Sequence, residues 1–494
     1  MKKNVLALSI TAAVFGLGFA GGAQAVTVPY GATADDLRLS PNGIGHSLLV
    51  PYYTAQGSNA TLLNLVNTDT LNGKAVKVRF RSASNSDDVY DFQVFLSPGD
   101  VWAASISKGA DGRANLSTND NSCTKPAKSN LGSGFVTARL DTTFTADQKA
   151  NATREGYVEI FNMADIAPGT QLFTATKHVN GVAPCGTGVT AAAWTALDTD
   201  AANWTGLVPP TTGLMGNYTV INLATAAAYG GNATAIRAVN SAIDTNVADN
   251  SALGNVVYWP QTAQPVVGIS AFTADPLLRG GQVVGASYDL PDMSTPYTTT
   301  TANPLAQAGN LSQALATTSI KNEFLADQTV AAVTDWVFSM PTRRYSVALD
   351  YATNTRVYSA LPVNQQYFTA ANTTVVGRQI CVTGIAYTAF DREENSPVNP
   401  SDVVISPNVP EAPTAFCGEA SVLAINNGGK SGVLDASVAV RGIDLAYKEG
   451  WINIATPGLN NNGLPVLGEA YVRAVAGASN FGVNWGHRFS RRGL

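Results

Sequence analysis

Residues 61–106 read TLLNLVNTDTLNGKAVKVRFRSASNSDDVYDFQVFLSPGDVWAASI, and their apolar period is two. Ala75, Val76, Val78 and Phe80 are interleaved with Lys77 and Arg79, and Val89, Phe92, Val94 and Leu96 form a second run of β-formers. The breaks NTDTLNG, SASNSDD and SPGD are turn chemistry. Short strands with a turn about every 8–12 residues specify an antiparallel sandwich. LSPGDVW has the form of an immunoglobulin-like corner, where Pro98-Gly99 turns the chain and Trp102 re-enters the core.

The C-terminal half repeats the plan. ASVLAINNGGKSGVLDASVAV reads as strand, Asn-Gly turn, strand, and LPVLGEAYVRAV as a further strand. FGVNWGHRF closes the chain with Phe481, Val483, Trp485 and Phe489 on one face. One phrase occurs in both halves: REGYVEI at 154–160 and KEGWINI at 448–454. Each runs basic, Glu, Gly, aromatic, β-branched, polar, Ile. The expectation is an equivalent strand in two divergent repeats. Gly lets the backbone turn in, Tyr157 and Trp451 plug the cores, and Glu155 and Glu449 stay on the surface. The spacing differs, so insertions are implied. LLNLVN lies 92 residues before Arg154, whereas VLAINN lies 26 before Lys448 (154 minus 62; 448 minus 422).

Between the halves, the Ala-rich stretches of 191–330 suit short helices near 232–246 and 305–326. DMSTPYTTTTANP (292–304) has the composition of an exposed loop. The expected fold is mainly β: two immunoglobulin-like antiparallel β-sandwich units with a mixed, partly helical insertion. Its divisions are a leader at 1–25, a sandwich at 26–190, the insertion at 191–330 and a second sandwich at 331–494, each sandwich with its own core.

The leader MKKNVLALSITAAVFGLGFAGGAQA has two lysines, an apolar stretch from Val5 to Ala20 and an A-x-A end, the three parts of a secretory signal peptide. Cleavage is expected before Val26. The G-x-G-x-x-G at Gly16–Gly21 is therefore a decoy, with no preceding strand. No later stretch approaches the ~20 apolar residues of a membrane helix. Charged residues make up 13% of the chain, and the net charge of −5 becomes −7 once Lys2 and Lys3 leave. That is about half the usual share of charge, and without a basic run nucleic acid is excluded as a partner. The four cysteines of an exported chain are expected to pair. Of three connectivities, Cys123–Cys185 with Cys381–Cys417 keeps each bridge within one half. Each closure would stabilise by roughly 4 kcal/mol on the loop-entropy argument.

Motifs for chemistry are sparse. Gly45-His46-Ser47-Leu48-Leu49 fails the nucleophile-elbow pattern at its last position. Gly428-Gly429-Lys430-Ser431 lacks the first glycine of a phosphate loop, since Ala424 stands there, and reads as a turn. A Ser/His/Asp triad assembles in space and is not excluded by spacing, but only His46, His178 and His487 could serve, and structural roles are expected for them. Two constellations stand out. Asp391, Glu393 and Glu394 on a loop offer oxygen ligands to Ca²⁺, or form a solvated turn. Arg343 and Arg344 in TDWVFSMPTRRYSV offer a clamp for a carboxylate or sulfate, or a buried ion pair with the 391–394 acids.

LSPGDVW (96–102), TDWVFSMPTRRY (334–345) and FDREEN (390–395), with Cys123 and Cys417, resemble a family of exported proteobacterial proteins, usually labelled cell surface proteins, for which no activity is established. The resemblance spans most of the mature chain. It implies export to the surface of a Gram-negative cell, or to the medium or periplasm, and carries over no catalytic residue or cofactor. The expected function is non-enzymatic: adhesion or envelope and matrix architecture, with envelope or matrix components, glycan among them, as partners. The alternative is a secreted glycan- or peptide-binding module with an aromatic rim such as Tyr52-Tyr53, and behind it a hydrolase of unrecognised type.

Overall fold

A computed structural model describes residues 34–199, 205–240, 254–261, 278–279, 282–283, 290–295, 297–298, 305–361, 365–396 and 412–491. The leader and its cleavage point lie outside them. The alternating runs of the first half become strands β1 (Asp36–Leu39), β2 (Ser47–Thr54), β3 (Asn59–Asn67), β4 (Gly73–Ser82), β5 (Asp88–Leu96), β6 (Val101–Lys108), β7 (Ala114–Ser117), β8 (Cys123–Lys125), β9 (Glu155–Ile166), β10 (Leu207–Val208), β11 (Leu214–Asn222), β12 (Ala228–Asn232) and β13 (Thr234–Val239). One sheet runs β1-β13-β2-β9-β4-β5-β8, with β10 beside β9. A second runs β12-β11-β3-β6-β7. Their facing side chains, among them Val76, Val78, Phe80, Phe92, Leu63, Leu65, Ile106 and Val220, fill one core. Trp102 sits fully buried in it, 5.4 Å from Phe92, after the Pro98-Gly99 turn.

After the short hairpin β14 (Leu278–Arg279) and β15 (Gln282–Val283) come β16 (Ala316–Leu325), β17 (Val333–Ser339), β18 (Val347–Asp350), β19 (Thr355–Tyr358), β20 (Thr373–Val376), β21 (Gln379–Phe390), β22 (Ala412–Cys417), β23 (Ala420–Ile425), β24 (Val440–Ile443), β25 (Glu449–Ala455), β26 (Leu464–Pro465), β27 (Glu469–Ala476), β28 (Ser479–Gly486) and β29 (Arg488–Arg491). These build the sheet β20-β21-β25-β16-β26, joined by β22 and β29, and the sheet β24-β23-β17-β27-β28.

The two halves share most of their pairing order, departing at β24, which runs parallel to β23 where β7 runs antiparallel to β6. β9 lies between β2 and β4 as β25 lies between β16 and β21. β3 lies between β11 and β6 as β17 lies between β27 and β23. β13 returns to β2 as β29 returns to β16. The repeated phrase therefore marks the same strand in each half, and its glycine does the same work. A Cβ on Gly156 would sit 1.7 Å from the Arg81 carbonyl oxygen, and one on Gly450 1.9 Å from that of Phe390. Arg81 and Phe390 stand on the equivalent strands β4 and β21. In both halves only glycine lets that neighbouring strand close.

Several expectations are corrected. The pairing order is not the four-plus-three order of an immunoglobulin domain. The first unit does not end at 190, because β10–β13 complete its sheets, and the second begins at β16, before 331. The helix expected near 232–246 is strand as far as Val239, where the β-branched residues of TAIRAV pair with β1 and β2; residues 241–246 lie outside the described set. The helix expected over 305–326 is α4, the fourth helix after α1 (Ala146–Ala152), α2 (Gln171–Thr176) and α3 (Ala191–Ala196). It spans Ala306–Leu315 and gives way to β16. β23 and β24 are parallel, so ASVLAINNGGKSGVLDASVAV is a crossover and not a hairpin. The described residues of 292–304 are buried, not exposed: Asp292, Met293 and Tyr297 cover the outer face of the first sheet.

That outer face explains most of the differences. Sandwich reasoning puts the polar residues of β4 in solvent, but Lys77, Arg79 and Arg81 are all buried. A third layer made of 254–261, 290–295, 297–298, α4 and 340–361 lies over them, and its apolar side chains form a second cluster with Tyr157, Phe161 and Met163. The halves also share their main core, since Val337, Val422, Leu434 and Tyr471 belong to the cluster that fills the first sandwich. The second half also keeps a cluster of its own, with Trp336, Phe338, Ile452 and Ile454. Both disulfides form as expected, Cys123–Cys185 and Cys381–Cys417.

Candidate functional site

The arginine pair is not a clamp. Arg343 and Arg344 are buried on a short turn after β17. Arg343 Nε lies 2.5 Å from Glu419 Oε2, and its Nη1 donates to the Ile380 carbonyl at 2.8 Å. The Arg344 backbone N–H donates to Glu419 Oε1 at 2.9 Å, and its guanidinium to the Ser86 carbonyl of the other half. A buried ion pair forms, with Glu419 as the acid in place of the 391–394 group.

Those three acids do not converge. Asp391 folds its own turn, accepting from the backbone of Glu393 and Asn395 and from the Asn395 amide. Arg392 pairs with Glu449 at 2.7 Å on the surface. Among the described residues, no group of three or more His, Cys, Asp or Glu side chains is placed to hold a metal ion.

Tyr52 and Tyr53 make no rim, because both are fully buried. Tyr52 donates to Glu155 Oε2 at 2.5 Å, and Tyr53 to the Thr153 carbonyl at 3.0 Å. Glu155 is not a surface residue either. Its Oε1 accepts from the Ser437 backbone at 2.9 Å and from Val438, so it bolts the β23–β24 crossover onto the first half. Burial pushes its carboxyl up, against the pull of these donors. The Gly428–Ser431 turn belongs to the same crossover. Ser431 and the N–H groups of Gly432, Val433 and Leu434 all donate to buried Asp335.

The histidines are structural. His46 is buried and accepts from the Ala238 N–H at Nδ1, 3.1 Å away. His487 is held at both nitrogens, with Val337 O 3.1 Å from Nε2 and the Asn322 amide 2.9 Å from Nδ1. His178 does meet a serine and an aspartate, but through one nitrogen. Ser97 Oγ is 3.2 Å and Asp100 Oδ2 3.3 Å from the same Nδ1. A triad needs the acid and the nucleophile on opposite ring nitrogens.

Among the described residues, one strand carries a row of exposed large apolar side chains. β28 is the last strand of its sheet, and its alternate residues Phe481, Val483 and Trp485 are 57%, 41% and 37% exposed. They do share a face, as the sequence implies: it is the face that Ala470 and Trp336 turn to the second half's core, and at this edge strand it runs out into solvent. The other side of the strand is locked to the first half. Asn484 donates to the Gly230 carbonyl of β12 at 2.7 Å, and a Cβ on Gly482 would come within 2.9 Å of the Tyr229 ring. The stripe is roughly 14 Å long at strand rise and rides on a fixed strand. A second exposed aromatic, Trp451, stacks on Phe390 with centroids 4.5 Å apart. Sequence reading assigned Trp451 to a core. The missed signal was that FDREEN continues Phe390 into a polar turn, leaving nothing to cover that side of β25.

No protein-family model, no curated protein and no solved structure matches this chain.

Proposed function

We propose that this chain is an exported, non-enzymatic binding protein of the cell surface, acting in adhesion or envelope architecture, and that the β28 stripe is its contact face. The observation that carries the reading is three large apolar side chains in a row, each more than a third exposed, on an edge strand that is tied to the first half. A soluble surface normally scatters such residues singly. Aromatic faces with few charges around them suit neutral, flat partners, and a glycan chain is the chemistry they match best. The disulfides, the secretory leader and the neutral Thr/Asn/Ser/Gly composition support export. The single-nitrogen wiring of His178 favours binding over hydrolysis.

The test is adherence of the purified mature chain to whole cells, envelope fractions and immobilised glycans, with the Phe481→Ser/Trp485→Ser variant beside it. The expected result is at least a tenfold loss of binding with the melting temperature unchanged. Equal binding by the variant would remove the stripe from the function. Competition by soluble glycan, with no retention of the native protein on cells, would favour a secreted glycan-binding module over an adhesin.

A further inference from the structure

One buried cluster has no part in that contact face. Lys74 stands on β4 directly opposite Asp165 on β9. Its Nζ lies 2.7 Å from Asp165 Oδ1 and 3.2 Å from Asp69 Oδ2. The three side chains are 0%, 1% and 5% exposed. The other buried lysines differ, since Lys77 pairs with an acid that is 14% exposed and Lys125 with one that is 36% exposed. The remaining buried cations of β4 are arginines, whose guanidinium is a poor nucleophile. Among the described residues, only at Lys74 does a sealed primary amine meet two sealed carboxylates.

We propose that Lys74 and Asp165 join in an intramolecular isopeptide bond, Nζ to Cγ, with Asp69 as the proton acceptor. The two acids are set apart for these roles. Burial pushes the Asp165 carboxyl up, towards the neutral acid that an amine can attack. Burial also acts on Asp69, but hydrogen bonds from Asn72 and Leu71 outweigh it and hold that carboxyl at about 2, so it stays ionised. Asp69 takes one proton from the Lys74 ammonium, and the freed amine attacks Asp165 Cγ. The second amine proton leaves with the departing hydroxyl as water. Asp69 holds its proton only in passing and releases it, so the products are an amide, one water and one proton, and atoms and charge balance without a co-reactant.

The cluster is also furnished for the oxyanion that forms on the way. Asn162 donates to Asp165 Oδ1 at 2.9 Å and Thr211 to Oδ2 at 2.6 Å. Donors fixed in a dry site stabilise charge developing on those oxygens, and the cross-strand pairing holds the amine against the carboxyl. The bond would join residues 91 apart in sequence and tie the two central strands of the first sheet. The proposal stands whatever the chain binds.

The test is the mass of the mature wild-type protein after reduction and denaturation. The expected result is one water less than the sequence, with a branched tryptic peptide joining the Lys74 and Asp165 segments. Lys74→Arg keeps the cation and should restore the full mass. Asp69→Asn should leave most molecules unlinked. Asp165→Asn should still link, with loss of ammonia in place of water. Full mass in the folded wild type after prolonged incubation, or a water lost elsewhere in the peptide map, overturns the proposal and leaves a buried ion pair.

Discussion

The hydroxyls of Tyr218 and Tyr471 lie 2.8 Å apart, and the two residues stand on β11 and β27, the equivalent strands of the two repeats. Both are buried, so this hydrogen bond crosses the interface between the halves where no water competes for it. The Tyr229 ring meets Tyr471 edge-on at 5.8 Å. Beside them β12 abuts β28, also an equivalent pair. The duplicated fold has joined its copies along matching edges.

Replacing either tyrosine by Phe removes one partner and leaves the other hydroxyl buried, at a cost of about 1–3 kcal/mol. Replacing both should cost less than the sum of the single changes. A double-mutant cycle by urea denaturation should read a coupling of about 1 kcal/mol. Additive losses would show that the pair contributes nothing as a pair.

Because Val337, Val422, Leu434 and Tyr471 sit in the same core as the first sandwich, the halves should unfold together. Tyr157→Ala removes a fully buried ring and should cost about 3–5 kcal/mol. Limited proteolysis of that variant should cut both halves at similar rates. Protection of residues 316–491 while the first half is digested would mean two independent cores.

The two phrases should respond unequally. Glu155→Ala strips a buried carboxylate from Tyr52, Ser437 and Val438 and should destabilise by about 2–4 kcal/mol. Glu449→Ala breaks only a surface pair with Arg392 and should fall within about 0.5 kcal/mol. Arg343→Ala leaves Glu419 as a lone buried charge and should cost about 3–5 kcal/mol. Chemical denaturation of the three variants side by side checks the order.

What was legible in the sequence was the inward face. Val158 and Ile160 point into a core, as do Ile452 and Ile454, and the alternation around them identified the strands and their kinship. The bridges were readable because each pair lies within one half. What hid was the outward face. Tyr157 and Trp451 point the same way from equivalent strands, yet one is buried and the other open, because a third layer covers only the first sheet. Nothing in REGYVEI or KEGWINI records which sheet a distant segment will cover. Glu155 likewise read as a surface residue because its neighbours in the chain do not show the crossover that meets it, and the acid that meets Arg343 was not identifiable from its neighbours in the chain.

His487 gives the fold a pH dependence that can be worked out from its contacts. The ring stacks on Phe338 at 4.9 Å and 12°. Its Nε2–H donates to the Val337 carbonyl, and its Nδ1 accepts from the Asn322 amide. That pattern needs the neutral tautomer, and burial lowers the folded-state value to about 3. The unfolded chain protonates near the ordinary value of about 6.5. Above that, both states are neutral and the contribution is complete. As pH falls below it, only the unfolded chain gains the proton, so stability drops by about 1.4 kcal/mol per pH unit until the folded value is reached. At pH 5 the loss from this residue is about 2 kcal/mol. Asp87 acts with the opposite sign. Burial raises it to about 6, so its effect weakens the fold as pH rises towards 6. His487→Gln keeps a donor and an acceptor but cannot titrate. Unfolding free energies of wild type and variant should therefore converge as pH falls from 7 to 5, by about 2 kcal/mol. A constant difference across that range would mean that the ring takes up its proton inside the fold.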